Sequence, residues 1–288
     1  MRTDVVEALK EMKIPVLRWP GGCYVSDYHW KCGVGPNRQP MWNKAWAVED
    51  PNTFGTDEYV KWCRKVGCEP YICTNAGTGN EEEMSDWVEY CNLNVGKWGR
   101  ERIANGYKKP HDVMYWSVGN ENWGCGGNMR PEYYADEFRR YQTYCRNYGQ
   151  NKLYRIACGP NVDDWTWMDG VMKVAGRHCN AITLHYYTHP LGWEEKGSAT
   201  EFDTDEYYLT LRKTAHMENL LKGHLAIMDK YDPKHRVGLI VDEWGCWHPD
   251  GSGPSKGYNL FEQQSTMRDA MVTALTLNLF NNRCDVVA

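Results

Sequence analysis

No apolar run in this 288-residue chain approaches the roughly 20 residues that a membrane span requires. The first ten residues, Met1 to Lys10, form a charged amphipathic segment without the apolar stretch of a secretory leader. The expectation is therefore a cytoplasmic protein with no membrane partner. A basic stripe is also missing. The formal charge is -5, with Lys and Arg spread along the chain, so nucleic acid is not an expected partner. Three signatures of other chemistries also lack their setting. The G-x-S-x-G letters at 253–257 lie within the long loop 242–259, not directly after a strand run as a nucleophile elbow requires, which argues against an α/β-hydrolase. His111, His189 and His248 are scattered, with no HExxH pair. Gly77-Thr78-Gly79 lacks the third glycine of a dinucleotide-binding turn. No metal or cofactor is expected.

Cysteine is plentiful, at 12 residues, but most stand singly inside apolar segments, as at Cys73, Cys91, Cys145 and Cys158. That placement reads as buried thiols in a reducing compartment rather than a disulfide framework. Cys63, Cys68 and Cys73 are evenly spaced, but not at zinc-site spacing.

With 42% hydrophobic residues the chain can bury a large core. Continuous apolar runs lie at 14–18, 69–74, 113–118, 153–158, 181–185 and 237–241. Runs of this kind, as opposed to alternating ones, suit strands buried on both faces of a parallel sheet. Helical patterns lie between them, at 56–62, from Pro131 to Tyr148 with Gly149 following, from Tyr207 to Lys230 and from Phe261 to Phe280. Glu81-Glu82-Glu83 reads as a solvated helix start. The alternation predicts an α/β fold with right-handed crossovers. Long loops rich in Gly, Asn and Trp follow the strands at 19–55, 119–130 and 242–259. That favours a (β/α)8 TIM barrel with its site on the C-terminal face, over a doubly wound sheet. Six units are countable where a closed barrel has eight. The expected organisation is a single barrel domain over 1–288, missing one unit at each end. Residues 281–288 read as the approach to a final strand.

The run at 113–118 stops at Gly119 and delivers Asn120, Glu121 and Asn122. The run at 237–241 delivers Asp242, Glu243 and Trp244 in the same way. Carboxylates at strand ends are costly to bury unless they are used. Three units apart in an eight-stranded ring, Glu121 and Glu243 would face each other across the mouth. Two facing carboxylates are what glycoside cleavage needs, one to protonate the leaving oxygen and one to attack carbon or activate water. A lone Glu at a barrel mouth is more simply read as an ion-pair partner; the repetition favours chemistry.

The stretches "RWPGG" at 18–22, "GVGP" at 33–36, "VGNEN" at 118–122 and "DEW" at 242–244, in that order, resemble the α-L-arabinofuranosidases of glycoside hydrolase family 51. The resemblance runs from about Asp4 to the end of the chain. It implies a retaining, metal-independent enzyme on a (β/α)8 barrel, acting on arabinofuranosyl-containing oligosaccharides or polysaccharides such as arabinoxylan and arabinan. By resemblance Glu121 is the acid/base and Glu243 the nucleophile. Asn120 would bind the sugar 2-hydroxyl, Arg18 would order the nucleophile, and Tyr187 would hydrogen-bond it. Trp46 and Trp247 would line the sugar pocket. Cys23 stands where the pattern has a sugar-binding Asn, and a thiol is a weaker donor. A glutamate of the family's first strand, its eighth strand and its C-terminal β-sandwich have no counterpart here. A homo-oligomer is expected only of a full-length protein.

Among the 14 tryptophans, Trp62 and Trp87 lie in helical patterns and read as core. Trp30, Trp46, Trp123 and Trp247 lie in strand-end loops and read as pocket residues. His185, at a strand end, reads equally as a partner of a catalytic carboxylate and as a structural histidine. Two other functions stay open: another retaining barrel glycosidase, such as a β-glycosidase or endoglucanase, and a non-catalytic sugar-binding fragment.

Overall fold

A computed structural model describes residues 2–249, 252 and 262–287. They fall into two compact units, one of residues 1–158 with 173–181, the other of 159–172 with 182–288.

The first unit opens with helix α1 (Thr3–Met12), strand β1 (Val16–Trp19) and the single turn α2 (Gly22–Val25). A small hairpin follows, β2 (Met41–Asn43) and β3 (Val48–Asp50), paired antiparallel. Then come α3 (Thr56–Val66), β4 (Glu69–Thr74), α4 (Glu81–Asn92), α5 (Gly96–Ala104), β5 (Tyr115–Val118), α6 (Pro131–Tyr144) and β6 (Tyr154–Ala157). Strands β1, β4, β5 and β6 pair in that order, each parallel to the next, with Arg18 opposite Tyr71, Tyr71 opposite Tyr115 and Tyr115 opposite Tyr154. The helix signals are local. Asn80 caps α4 by accepting from the Glu83 amide, and the three glutamates of its first turn favour the positive end of the helix dipole. Pro131 opens α6, where its missing N–H costs nothing.

The core of this unit is aromatic. Trp87 is 1% exposed and stacks on Trp30 at 5.9 Å. It meets Trp19 and Trp116 edge to face at 6.1 and 5.9 Å. The Trp30 indole donates to the Glu83 carbonyl. The reading of Trp30 as a pocket residue is therefore corrected: the loop that carries it folds back, and its ring fills the core.

The second unit contains α7 (Trp165–Ala175), whose last turn belongs to the first, and β7 (Ala181–Thr188). It continues with α8 (Thr204–Ala215), α9 (Met217–Tyr231), β8 (Gly238–Cys246) and α10 (Met267–Asn281). Strands β7 and β8 are hydrogen-bonded neighbours. The single helix expected over 207–230 is two. His216 donates its amide to Lys213 and Thr214 carbonyls, which tightens the backbone and starts α9 afresh. Helix α6 ends at Tyr144, short of Tyr148, because Cys145 is extended and its carbonyl accepts from Arg155. The helix expected over 261–280 starts only at Met267, where Thr266 caps it by accepting from the Arg268 amide, and residues 262–266 are not helical; position 261 lies outside the described residues. Val287 bridges in parallel to Leu239, as the reading of 281–288 expects. Four parallel strands in one unit and two strands in the other account for the six expected. No helix among the described residues is long and apolar enough to cross a membrane.

Candidate active site

In the first unit the candidate side chains gather at the ends of β1 and β5. Gly119 follows β5 with φ of +76°, and its amide donates to the Thr74 carbonyl at 3.0 Å. A Cβ there would stand 2.1 Å from Asn122 Oδ1, so only glycine permits the turn. Glu121 also has a positive φ, +46°. A non-glycine residue there is uncommon and carries backbone strain, which recurs at functional sites. The loop compensates. Gly124 and Gly126 amides donate to the Glu121 carbonyl, Met129 to the Asn122 carbonyl, and Asn122 Nδ2 to Gly126.

Arg18, on β1, donates through Nη2 to Asn120 Oδ1. Its guanidinium passes over Gly21, where a Cβ would be 2.5 Å from Nη1. Asn120 is buried, and its Nδ2 has no hydrogen-bond partner among the described residues. Cys23 and Cys125 form a disulfide, with Cα atoms 5.6 Å apart. Their sulfurs lie 3.6 and 3.4 Å from Glu121 Oε2. The expectation of free thiols throughout is corrected at this pair. Cys23 has no S–H to offer a sugar, and the pairing joins residues 102 apart in the chain. Cys73, Cys91, Cys145 and Cys158 are buried and stand outside any disulfide, as expected. Trp46, in the turn of the β2–β3 hairpin, lines an open cavity of about 360 Å³ together with Cys23, Cys125, Ser26 and Thr78. Asn43 holds that turn by accepting from the Trp46 amide at 3.0 Å.

In the second unit the functional side chains lie on β7 and β8. Strand β8 runs on past Val241, so Asp242 and Glu243 are strand residues rather than the start of a loop. Tyr187 Oη donates to Glu243 Oε2 at 2.8 Å. His185 stands between two carboxylates. Its Nε2 is 3.0 Å from Asp242 Oδ1 and its Nδ1 is 3.4 Å from Glu243 Oε2. All three of these side chains are at most 12% exposed. His185 thus meets the carboxylates of both Asp242 and Glu243. Asp242 is the residue that sequence reasoning missed, although it precedes Glu243 directly. The Tyr187 ring meets Trp247 edge to face at 4.8 Å, and Trp247 meets Trp193 at 4.9 Å.

Within the two units taken singly, two side-chain clusters among the described residues have metal-ligating composition. Cys23, Glu121 and Cys125 converge, but both sulfurs are spent in the disulfide. Cys246, His248 and Asp269 also converge within 4.8 Å. There Asp269 is the N-terminal lock of α10. It accepts from the Thr266 amide and hydroxyl at 2.7 and 2.9 Å and lies 2.8 Å from His248 Nε2. Burial pushes the Cys246 thiol up to about 12, reinforced by the Asp269 charge, so it stays protonated. Burial also works to raise Asp269, but hydrogen bonds from His248 and Thr266 outweigh it and hold its carboxyl well below the usual range. The sign of the consequence is definite. A depressed folded value adds stability above the unfolded value of about 4 and loses it as pH falls further. In thermal unfolding from pH 7 to pH 3, the wild type should lose more stability than Asp269→Asn, which starts about 1–3 kcal/mol lower at neutral pH. Parallel pH profiles would refute this.

The chain matches two family models. Residues 8–207 match the α-L-arabinofuranosidase 1 domain, and residues 242–288 the α-L-arabinofuranosidase C-terminal domain. It is 48% identical to an intracellular exo-α-L-arabinofuranosidase of Bacteroides ovatus, over 99% of this chain and 56% of that protein. The crystal structure of a family 51 arabinofuranosidase from Xanthomonas axonopodis pv. citri aligns with a TM-score of 0.95 at 42% identity. It covers 99% of this chain and 58% of its own. An arabinose complex of the Thermotoga maritima α-L-arabinofuranosidase aligns with a TM-score of 0.79 at 32% identity, over 100% of this chain and 56% of its own. The chain therefore spans a little over half the length of these relatives.

Proposed function

This chain belongs to the α-L-arabinofuranosidases of glycoside hydrolase family 51, and from that premise we propose that it releases terminal α-L-arabinofuranosyl residues from arabinose-containing oligosaccharides or polysaccharides with retention of configuration. Its fold is α/β, a partial (β/α)8 barrel with six of the eight strand units. Both compact units, on this reading, serve one catalytic domain.

The observation that carries the reading is the contrast between the two carboxylates. Glu243 receives the Tyr187 hydroxyl, with His185 beside it. Such a clamp fixes one oxygen and leaves the carboxylate aimed as a nucleophile must be. Glu121 sits on a strained turn against a disulfide whose sulfurs have no proton to donate. By resemblance Glu121 is the residue that serves the departing oxygen. Glu243 attacks the anomeric carbon while Glu121 protonates the leaving oxygen. Glu121 then takes a proton from water, and that water releases arabinose from Glu243. Asp242 is a positioning residue on this reading: through His185 it orients the ring against Glu243. The open donor of Asn120, held in place by Arg18, is offered to a sugar hydroxyl. By resemblance Trp46 and Trp247 each offer an aromatic face to the sugar. Cys23 supplies bonded sulfur to the pocket wall.

Proton NMR of the first product formed from an aryl α-L-arabinofuranoside tests the reading. Arabinose should appear first as the α-anomer and mutarotate afterwards. First appearance of the β-anomer would exclude double displacement.

A further inference from the structure

A series of rings leads away from Glu243. Tyr187 is bonded to the carboxylate, its ring meets Trp247, and Trp247 meets Trp193. The last member is different. Trp193 is 52% exposed, although the large apolar area of an indole favours burial. It is also held in place. Lys196 Nζ lies 4.5 Å from its ring centroid and 5.8 Å from that of Trp247, and the His189 ring lies 6.0 Å away. An exposed indole fixed by a cation on one face is preorganised to receive something on the other.

We infer that Trp193, steadied by Lys196, is the platform for the sugar ring on the far side of the scissile bond, the leaving-group residue of the substrate. The inference rests on the arabinofuranosidase reading above and adds the aglycone to it. A terminal arabinosyl unit enters with its free end innermost, because its one bond to the rest of the substrate leads outward. A ring at the exposed end of a series that begins at Glu243 therefore meets the residue beyond that bond. The chemistry fits a sugar. One face of a pyranose or furanose is a patch of C–H groups that lies flat on an indole, while the ammonium of Lys196 donates to hydroxyls at its edge. Glu194 and Glu195, exposed in the same loop, would repel an acidic ring. The occupant is a neutral sugar.

The test compares two substrates with alkoxide leaving groups of similar acidity, α-1,5-linked arabinobiose and methyl α-L-arabinofuranoside. In the wild type the ratio of kcat/KM should favour the disaccharide. Trp193→Ala should lower that ratio about tenfold, the worth of one aromatic face. Trp193→Phe should keep most of it, which a merely space-filling role at a half-exposed position would not require. An unchanged ratio in Trp193→Ala overturns the platform, whether both rates hold or both fall together. Turnover of neither substrate by the wild type overturns the functional reading itself, a result that the ratio cannot imitate.

Discussion

Glu243→Gln should lower kcat on an aryl α-L-arabinofuranoside by about 10⁴-fold or more, because the covalent path is removed and nothing else in the site can open it. The substitution is chosen for what it keeps. Glutamine has the same shape and still accepts a hydrogen bond from Tyr187 Oη, so the clamp seen at 2.8 Å survives. Thermal stability should therefore stay within about 0.5 kcal/mol of the wild type, as for changes that break no buried network. The combination is diagnostic. A folded protein without turnover assigns the nucleophile, whereas an activity loss under tenfold would remove Glu243 from the mechanism. A sugar-binding module would instead retain its affinity for arabinose and show no turnover before or after the change.

Glu121→Ala has the second-largest expected effect, and its signature differs. General acid catalysis is worth about 10²–10⁴-fold, and it matters in proportion to the basicity of the leaving group. On arabinobiose the full loss is expected. On an aryl arabinofuranoside with a good leaving group the first step needs little protonation, so the glycosyl-enzyme forms and then waits for a base to activate water. Azide needs no such base. Added azide should restore turnover on the activated substrate and give α-L-arabinofuranosyl azide, with configuration retained. Equal losses on both substrates, with no azide adduct, would deny Glu121 the acid/base role. Alanine occupies the same positive-φ position as Glu121, so the backbone strain is carried over unchanged.

Much of this site was legible in residue order. The two carboxylates proposed for the chemistry stand out because each follows an apolar run, where burial makes a charged residue conspicuous. Arg18, Asn120, Tyr187 and Trp247 came from the family resemblance, and the geometry now gives each a partner: Arg18 with Asn120, Tyr187 with Glu243 and with Trp247. Asp242 and Glu243 are neighbours in a strand, where successive side chains point to opposite faces. That His185 contacts both carboxylates cannot be inferred from spacing. Trp30 and Trp193 illustrate the same gap. Both sit in loops after strands, yet one is 1% exposed and the other 52%.

By itself, the sequence determined the alternation of strands and helices, the helix caps, and the strand end that precedes Glu121; Glu243 lies inside β8, which runs on to Cys246. These are local properties: hydrophobic period, cap chemistry and the demand for glycine act over a few neighbouring residues. Only the tertiary structure decided which distant side chains meet. It joined Cys23 to Cys125, put His185 between Asp242 and Glu243, and left Trp193 in solvent beside Lys196. Those contacts depend on how loops close and in what register strands pair. A shift of one residue in a strand turns every side chain to the other face, so they exist only once the whole chain has packed.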